Sequence, residues 1–331
     1  MPKLVDDQQI IEAWNRLGSA RKVADALKID IRQIYYRRRA IEARHGIALT
    51  AKDAKVTGGP SAEKAKALDA LAAARAEKYE RDMAETVRNG TVVVASDCHY
   101  WPGMVSPAHE AMLRLIKALK PDIVVLNGDI LDGASISRHA RIMWEKQPTL
   151  KDELHAVQDR CAEIERAAGR ARLARTIGNH DARFENYWSA NAPEAEDMPG
   201  MTLLDYLPRW RAGWALHVNA ETPGWTVIRH RPVSGGVHSA YNSTLRSGTH
   251  YVHGHLHKLQ VTSGGDYRGR RYGVDSGTLA EINGPQFNYA EAGPRNWASG
   301  FCVLTFRDGF LLNPELAVQE AGGVWFRGER V

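Results

Sequence analysis

DIVVLNGDILD, Asp122 to Asp132, joins an unbroken apolar run to a turn carrying two carboxylates. A short run rich in β-branched residues, with no polar face, reads as a strand buried on both sides. Two neighbours repeat the pattern. TVVVAS (91–96) runs into Asp97-Cys98-His99, and LARTI (173–177) runs into Gly178-Asn179-His180-Asp181. Helical stretches around Pro107–Leu119 and Leu150–Arg172 lie between them. In α/β folds, functional residues gather in the loops beyond the carboxyl ends of strands, so these three loops are expected to line one crevice. Later β-like runs follow: GWALHVN, GWTVIRH ending at His230, HYVHG, and FCVLTFRDGFLL with an Asp308-Gly309 turn. The class this implies is a β-rich α/β sandwich.

The polar residues at these strand ends form an ordered set. Asp97 and His99 come first, then Asp129 with Asp132, then Asn179, His180 and Asp181, then His230, then His255 and His257. Each alone is ordinary, since a Gly-Asp pair is usually a turn and a strand-end His usually a satisfied polar group. Together they resemble the calcineurin-like metallophosphoesterases, whose pattern runs D-x-H, G-D-x-x-D, G-N-H-[DE], H, G-H-x-H. The resemblance extends over about Thr91 to Phe310.

The resemblance implies an αββα sandwich of two β-sheets flanked by helices. It also implies two divalent cations, one on Asp97, His99, Asp129 and His257, the other on Asp129, Asn179, His230 and His255, with Asp129 bridging. Carboxylates, imidazoles and one amide suit manganese first, with iron, zinc, nickel or magnesium as alternatives. The chemistry implied is phosphate-ester hydrolysis by a metal-bridging hydroxide. His180 is then the expected general acid, with Asp181 orienting it and Asp132 supporting the ligands. His230 is followed by Arg231-Pro232 rather than the family's usual glycine, so His238 in the next loop stands as the alternative ligand. His250, His253 and Cys98 read as structural. Arg138, His139 and Arg183 are candidate phosphate contacts, and Trp144 or Trp188 could stack a base.

Ahead of this region, residues 1–49 read as a small all-α domain. Asp6 or Asp7 caps a first helix that stops at Gly18, Ser19 caps a second, and Asp30 caps a third that ends near Gly46. Ile31, Ile34, Tyr35 and Ile41 are expected to face inward. Two short helices joined by a turn resemble a helix-turn-helix, and Arg32, Gln33, Tyr36, Arg37 and Arg39 are the expected DNA contacts. The charge agrees. Residues 1–46 hold ten Lys and Arg against six Asp and Glu, leaving 34 against 33 for the remainder of a chain with net charge +5. Residues 50–89 read as a linker and a helix from Ser61 to about Val87, whose narrow stripe (Leu68, Leu71, Ala72, Tyr79, Met83, Val87) offers a spacer, a packing face or a dimer seam. Residues 90–331 form the metallophosphoesterase domain.

Three scattered cysteines, no apolar leader and no membrane-length apolar run point to the cytoplasm. The function expected is a DNA-directed phosphodiesterase or nuclease. The alternatives are a phosphomonoesterase acting on nucleotides, nucleic-acid termini or phosphoproteins, and a DNA-binding or assembly protein with an inert fold. Helix-turn-helix plus phosphoesterase also resembles a phage or prophage architecture.

Overall fold

The computed structural model describes residues 5–49, 79–138, 146–195, 198–290 and 295–331, apart from the side chain of Arg39. The chain divides into two compact units, Met1–Ala70 and Leu71–Val331. No described helix is long and apolar enough to cross a membrane.

The first unit contains α1 (Asp7–Leu17), α2 (Ala20–Leu27) and α3 (Ile31–His45). Asp6 and Gln9 cap α1 reciprocally, Gly18 closes it in a left-handed turn, and the Asp30 carboxylate accepts the Arg32 amide at the start of α3. Such caps contribute about 1 kcal/mol each. Ile10, Trp14, Val23, Ile34, Ile41 and Leu49 make the core.

Two expectations for α3 are corrected. Tyr35 is not inward but 57% exposed, because Ile34 and Ile41, seven residues apart, already define the buried stripe, and a residue next to Ile34 is turned about 100° away. Arg37 does not project outward. Its guanidinium donates to the Val5 carbonyl at 2.7 Å and pairs with Asp7 at 2.7 Å, which ties α3 back to α1. Arg38, between the two isoleucines on the same stripe, lies 4.9 Å above the Trp14 ring. Arg32, Gln33 and Tyr36 are exposed.

The second unit begins earlier than expected. Tyr79–Glu85 is not the end of a helix but a strand, β1, paired in parallel with β5 (Arg211–Val218). Residues 61–78 of the predicted helix lie outside the described residues. Helix propensity is a weak prior that a sheet edge overrides, and here Met83 and Val87 are buried among sheet residues, so neither is free for a dimer seam.

The remaining strands form one continuous hydrogen-bonded path. One half runs from β2 (Gly90–Ala95) through β3 (Ile123–Asn127) to β4 (Arg172–Thr176), all parallel, with β10 (Gly300–Arg307, which also pairs with the short β11, Phe310–Leu311), β12 (Glu315–Glu320), β13 (Gly323–Phe326) and β14 (Glu329–Arg330) added beyond β2. The other half contains β6 (Thr226–Ile228), β7 (His250–His253), β8 (Gln260–Asp266) and β9 (Gly269–Asp275). β5 joins the halves. β1 pairs with it along its length, β4 pairs with residues 211–213 and β6 with residues 216–218. A strand has two edges, so β4 and β6 share one edge end to end, and the path folds over at that point.

The core shows the result. Val92, Val94, Ile123, Val125 and Ala174 of the first half pack with Ile228, Val252 and Val274 of the second. Their sequence neighbours Val93, Ala95, Val124, Leu126 and Leu173 face the other way, onto α4 (Pro107–Leu119) and α5 (Leu150–Ala168). Period-two alternation with both faces buried is what unbroken apolar strands provide. α7 (Ser239–Ser247) covers β7, β8 and β9 on the far side. The layers are helix, sheet, sheet, helix, with the two sheets continuous through β5.

Candidate metal centre

The loops after β2, β3, β4, β6 and β7 bring their polar residues together. Oxygen and nitrogen atoms of Asp97, His99 and His257 lie within 4.8 Å of one another, as do those of Asp129, His230 and His255. His257 Nε2 is 3.0 Å from Asp97 Oδ1, and His99 Nε2 is 4.0 Å from the same oxygen. His230 Nε2 lies 3.1 Å from Asp129 Oδ2 and 3.2 Å from the Asn179 amide oxygen. Its other nitrogen donates to the Asn127 carbonyl at 2.9 Å, which fixes the ring and aims Nε2 inward. His238 is exposed at the start of α7 and belongs to neither group.

Five of the site residues share a left-handed backbone. Asp97, His99, Asp129, His255 and His257 have φ of 52°, 38°, 53°, 70° and 58°. Each left-handed non-glycine residue costs about 1–3 kcal/mol, and such strain collects where side chains must be aimed. Neighbouring glycines permit the close approach. A Cβ on Gly178 would sit 2.0 Å from Asp129 Oδ1, and one on Gly254 would sit 2.3 Å from Asp97 Oδ2.

The electrostatics are those of buried opposite charges. Burial opposes ionisation of Asp129, yet the imidazoles of His230, His180 and His99 hold its carboxyl well below the usual range. Asp97 is lowered in the same way by His257 and His230. Burial also works against a charged His230, but Asp129 and Asp97 push it up to about 10.

The donors fit divalent cations. They are hard oxygens and imidazole nitrogens with no thiolate, and His99 Nε2 and His257 Nδ1 are buried without a hydrogen-bond partner among the described residues. Asp97, His99 and His257 would hold one ion, and Asp129, His230, His255 and Asn179 the other.

A third group, His99, Asp132 and His180, adjoins the first. The Asp132 carboxylate lies 3.0 Å from His99 Nδ1 and 3.0 Å from His180 Nδ1. Burial lowers the His180 pKa, but Asp132 and Asp129 outweigh it and the net shift is upward. The carboxylate that orients His180 is therefore Asp132, not Asp181. Asp181 instead accepts the backbone amides of Asp129, Ile130, Leu131 and Gly178 at 2.9–3.2 Å, clamping the Gly-Asp loop to the Gly-Asn loop. A buried aspartate at the head of α6 (Ala182–Asn191) is well placed to gather amides.

Arg183 donates to the Asp132 carbonyl at 2.9 Å, and its other terminal nitrogen lies 3.2 Å from His180 Nε2. Arg138 is exposed, and His139 and Trp144 lie outside the described residues. Trp188 packs on Phe184 and Tyr187 instead of facing the site. His250 accepts the Tyr272 amide and His253 donates to the Gly254 carbonyl, and neither is a member of the two groups.

An aromatic wall that no sequence motif marks lies beside the site. Phe287 meets His99 edge-on and His257 at a tilt, with ring centroids 5.2 and 5.3 Å away, and Trp297 meets His257 edge-on at 4.8 Å. These rings follow the last motif and share no spacing with it. The only signal was the local density of aromatics.

A family model described as calcineurin-like phosphoesterase matches residues 90–259. The Gene 54 proteins of Mycobacterium phage L5 and Mycobacterium phage D29 are each 30% identical to the chain, over 230 and 228 residues, covering 62% of it and 85% of either relative. Among solved structures, wild-type Vps29 complexed with Zn+2 from Entamoeba histolytica aligns at 14% identity over 73% of this chain and 98% of that one, with a TM-score of 0.40.

Proposed function

This chain belongs to the calcineurin-like phosphoesterases, and we propose that it is a two-cation phosphodiesterase that cleaves DNA. The observation that carries the hydrolytic reading is the pairing of two buried carboxylate–imidazole groups with His180 beside them. Two divalent cations, manganese first, would offset phosphoryl charge and acidify water.

The chain's own residues do the rest. Asp97 and Asp129 supply the negative charge that makes cation binding favourable. Asp132 holds His180 through Nδ1, so Nε2 is the nitrogen turned toward Asp129, 4.0 Å away. When the ring is neutral, Nε2 accepts from Arg183. When it is charged, Nε2 carries the proton offered to the leaving oxygen. Arg183 then serves a non-bridging phosphate oxygen. Asp181 keeps the two loops in register.

DNA is favoured by the N-terminal unit, where α3 presents Arg32 and Gln33 beside Tyr36, which is 84% exposed. Arg and Gln are the side chains that read base edges and hold phosphates. Two of the five contacts expected on α3 drop from this set, since Arg37 is engaged with Asp7 and the side chain of Arg39 is not described.

The test is turnover of duplex DNA, RNA, a cyclic nucleotide and a phosphopeptide with Mn²⁺. DNA is expected to be the best substrate. Turnover of monoesters alone would contradict the proposal and favour a phosphomonoesterase.

A further inference from the structure

We propose that Tyr289 sets substrate preference by stacking on the base of the nucleotide adjoining the scissile phosphate. The substrate class is then a nucleotide diester rather than any small phosphate ester. This rests on the phosphodiesterase reading of the same site.

Tyr289 lies in the short turn Pro285–Ala290, beyond the residues matched by the family model. A row of rings nevertheless connects it to the candidate ligands. Phe287 is fully buried against His99 and His257, and Tyr289 meets Phe287 edge-on at 6.4 Å. Phe287 thus anchors the outer ring at a fixed place.

The Tyr289 side chain is amphipathic in its setting. It is 57% exposed, yet its hydroxyl lies in the field of Asp132, Asp97, Asp129 and Arg183. Burial of the hydroxyl end, reinforced by those carboxylates, pushes the phenol up to about 12, so it keeps its proton at neutral pH. A large ring left open to water beside charged groups has apolar area to cover, and a nucleobase covers it without needing a particular hydrogen-bond pattern. Trp297 suits this role less, because the Arg295 guanidinium already lies 5.1 Å over its ring.

The experiment compares two diesters with one leaving group, thymidine 5′-(p-nitrophenyl phosphate) and methyl p-nitrophenyl phosphate, in Mn²⁺. The full-length wild type is expected to prefer the thymidine ester. Tyr289→Ala should reduce that preference about tenfold, mainly through KM, as loss of one stacked base does. Tyr289→Phe should keep it, because the ring rather than the hydroxyl does the stacking. An unchanged preference in Tyr289→Ala, or an equal loss in Tyr289→Phe, overturns the proposal. If the wild type turns over neither ester, the phosphodiesterase reading fails on its own, and calorimetric binding of thymidine 5′-monophosphate decides the role of Tyr289. Binding weakened by Tyr289→Ala supports the proposal. Equal binding by the two proteins, or none by the wild type, overturns it.

Discussion

His180 and Asp181 are adjacent in sequence, yet they do different work, and substitutions separate them. His180→Ala removes a ring that is held by Asp132 and lies edge-on to His99, but it strips no backbone amide of its partner. Turnover should fall about 10²- to 10⁴-fold while cation content and Tm hold, as kinetics, elemental analysis and a thermal melt would show. Asp181→Ala strands four backbone amides in a buried loop. It should cost about 3 kcal/mol or more of stability and lower Tm together with activity. A His180→Ala protein with full activity would remove that residue from the mechanism. The cation-free protein should also have a telltale pH profile. His230 titrates near 6.5 when unfolded and near 10 when folded. Its contribution is complete below pH 6.5 and is lost as pH rises through 10. Chelated protein should therefore lose Tm between pH 7 and 10, whereas bound cations, which displace that proton, should flatten the profile. A flat profile after chelation would mean that His230 is neutral in the cation-free site. The residues gathered here were legible in the sequence because each ends a strand and carries a short motif. The exchange of roles between Asp132 and Asp181 was not, since spacing along a chain does not say which loop a carboxylate turns toward.

At the scale of elements, β1 is where local composition misleads. YERDMAE follows an Ala-, Glu- and Lys-rich run and reads as more helix, but its backbone groups pair with β5 and Met83 is fully buried. Met83→Ala should cost about 2–5 kcal/mol, measured by denaturant unfolding. A cost below 0.5 kcal/mol, as on a solvated helix, would contradict the strand. The parallel strands β2, β3 and β4 were plain from sequence because being buried on both faces leaves them uniformly apolar. β1 was hidden because its partner lies more than a hundred residues away, and nothing local to it records the pairing. α3 shows the same limit more finely. Helical periodicity found Ile34 and Ile41, but the inward turn of Arg37 depends on Asp7 in another helix.

At the scale of the whole molecule, the chain joins a small basic helical unit to a phosphoesterase, and the two should be separable in function. Deleting residues 1–49 should weaken duplex DNA binding and flatten its salt dependence, leaving cleavage of a small diester intact. Unchanged DNA affinity would assign that unit to another partner. The catalytic unit was legible as a class because its five motifs occur in order. The fold-over at β5 and the aromatic wall were not, since both depend on how distant strands meet. The central claim, that two cations sit on the buried carboxylate–imidazole groups and drive hydrolysis, is tested most directly by titrating Mn²⁺ into chelator-stripped protein while following heat and diester cleavage together. The account predicts two cations bound per chain, cleavage that appears with them, and loss of both in Asp129→Ala. Full cleavage in excess chelator, or no Mn²⁺ binding to the wild type, would contradict it.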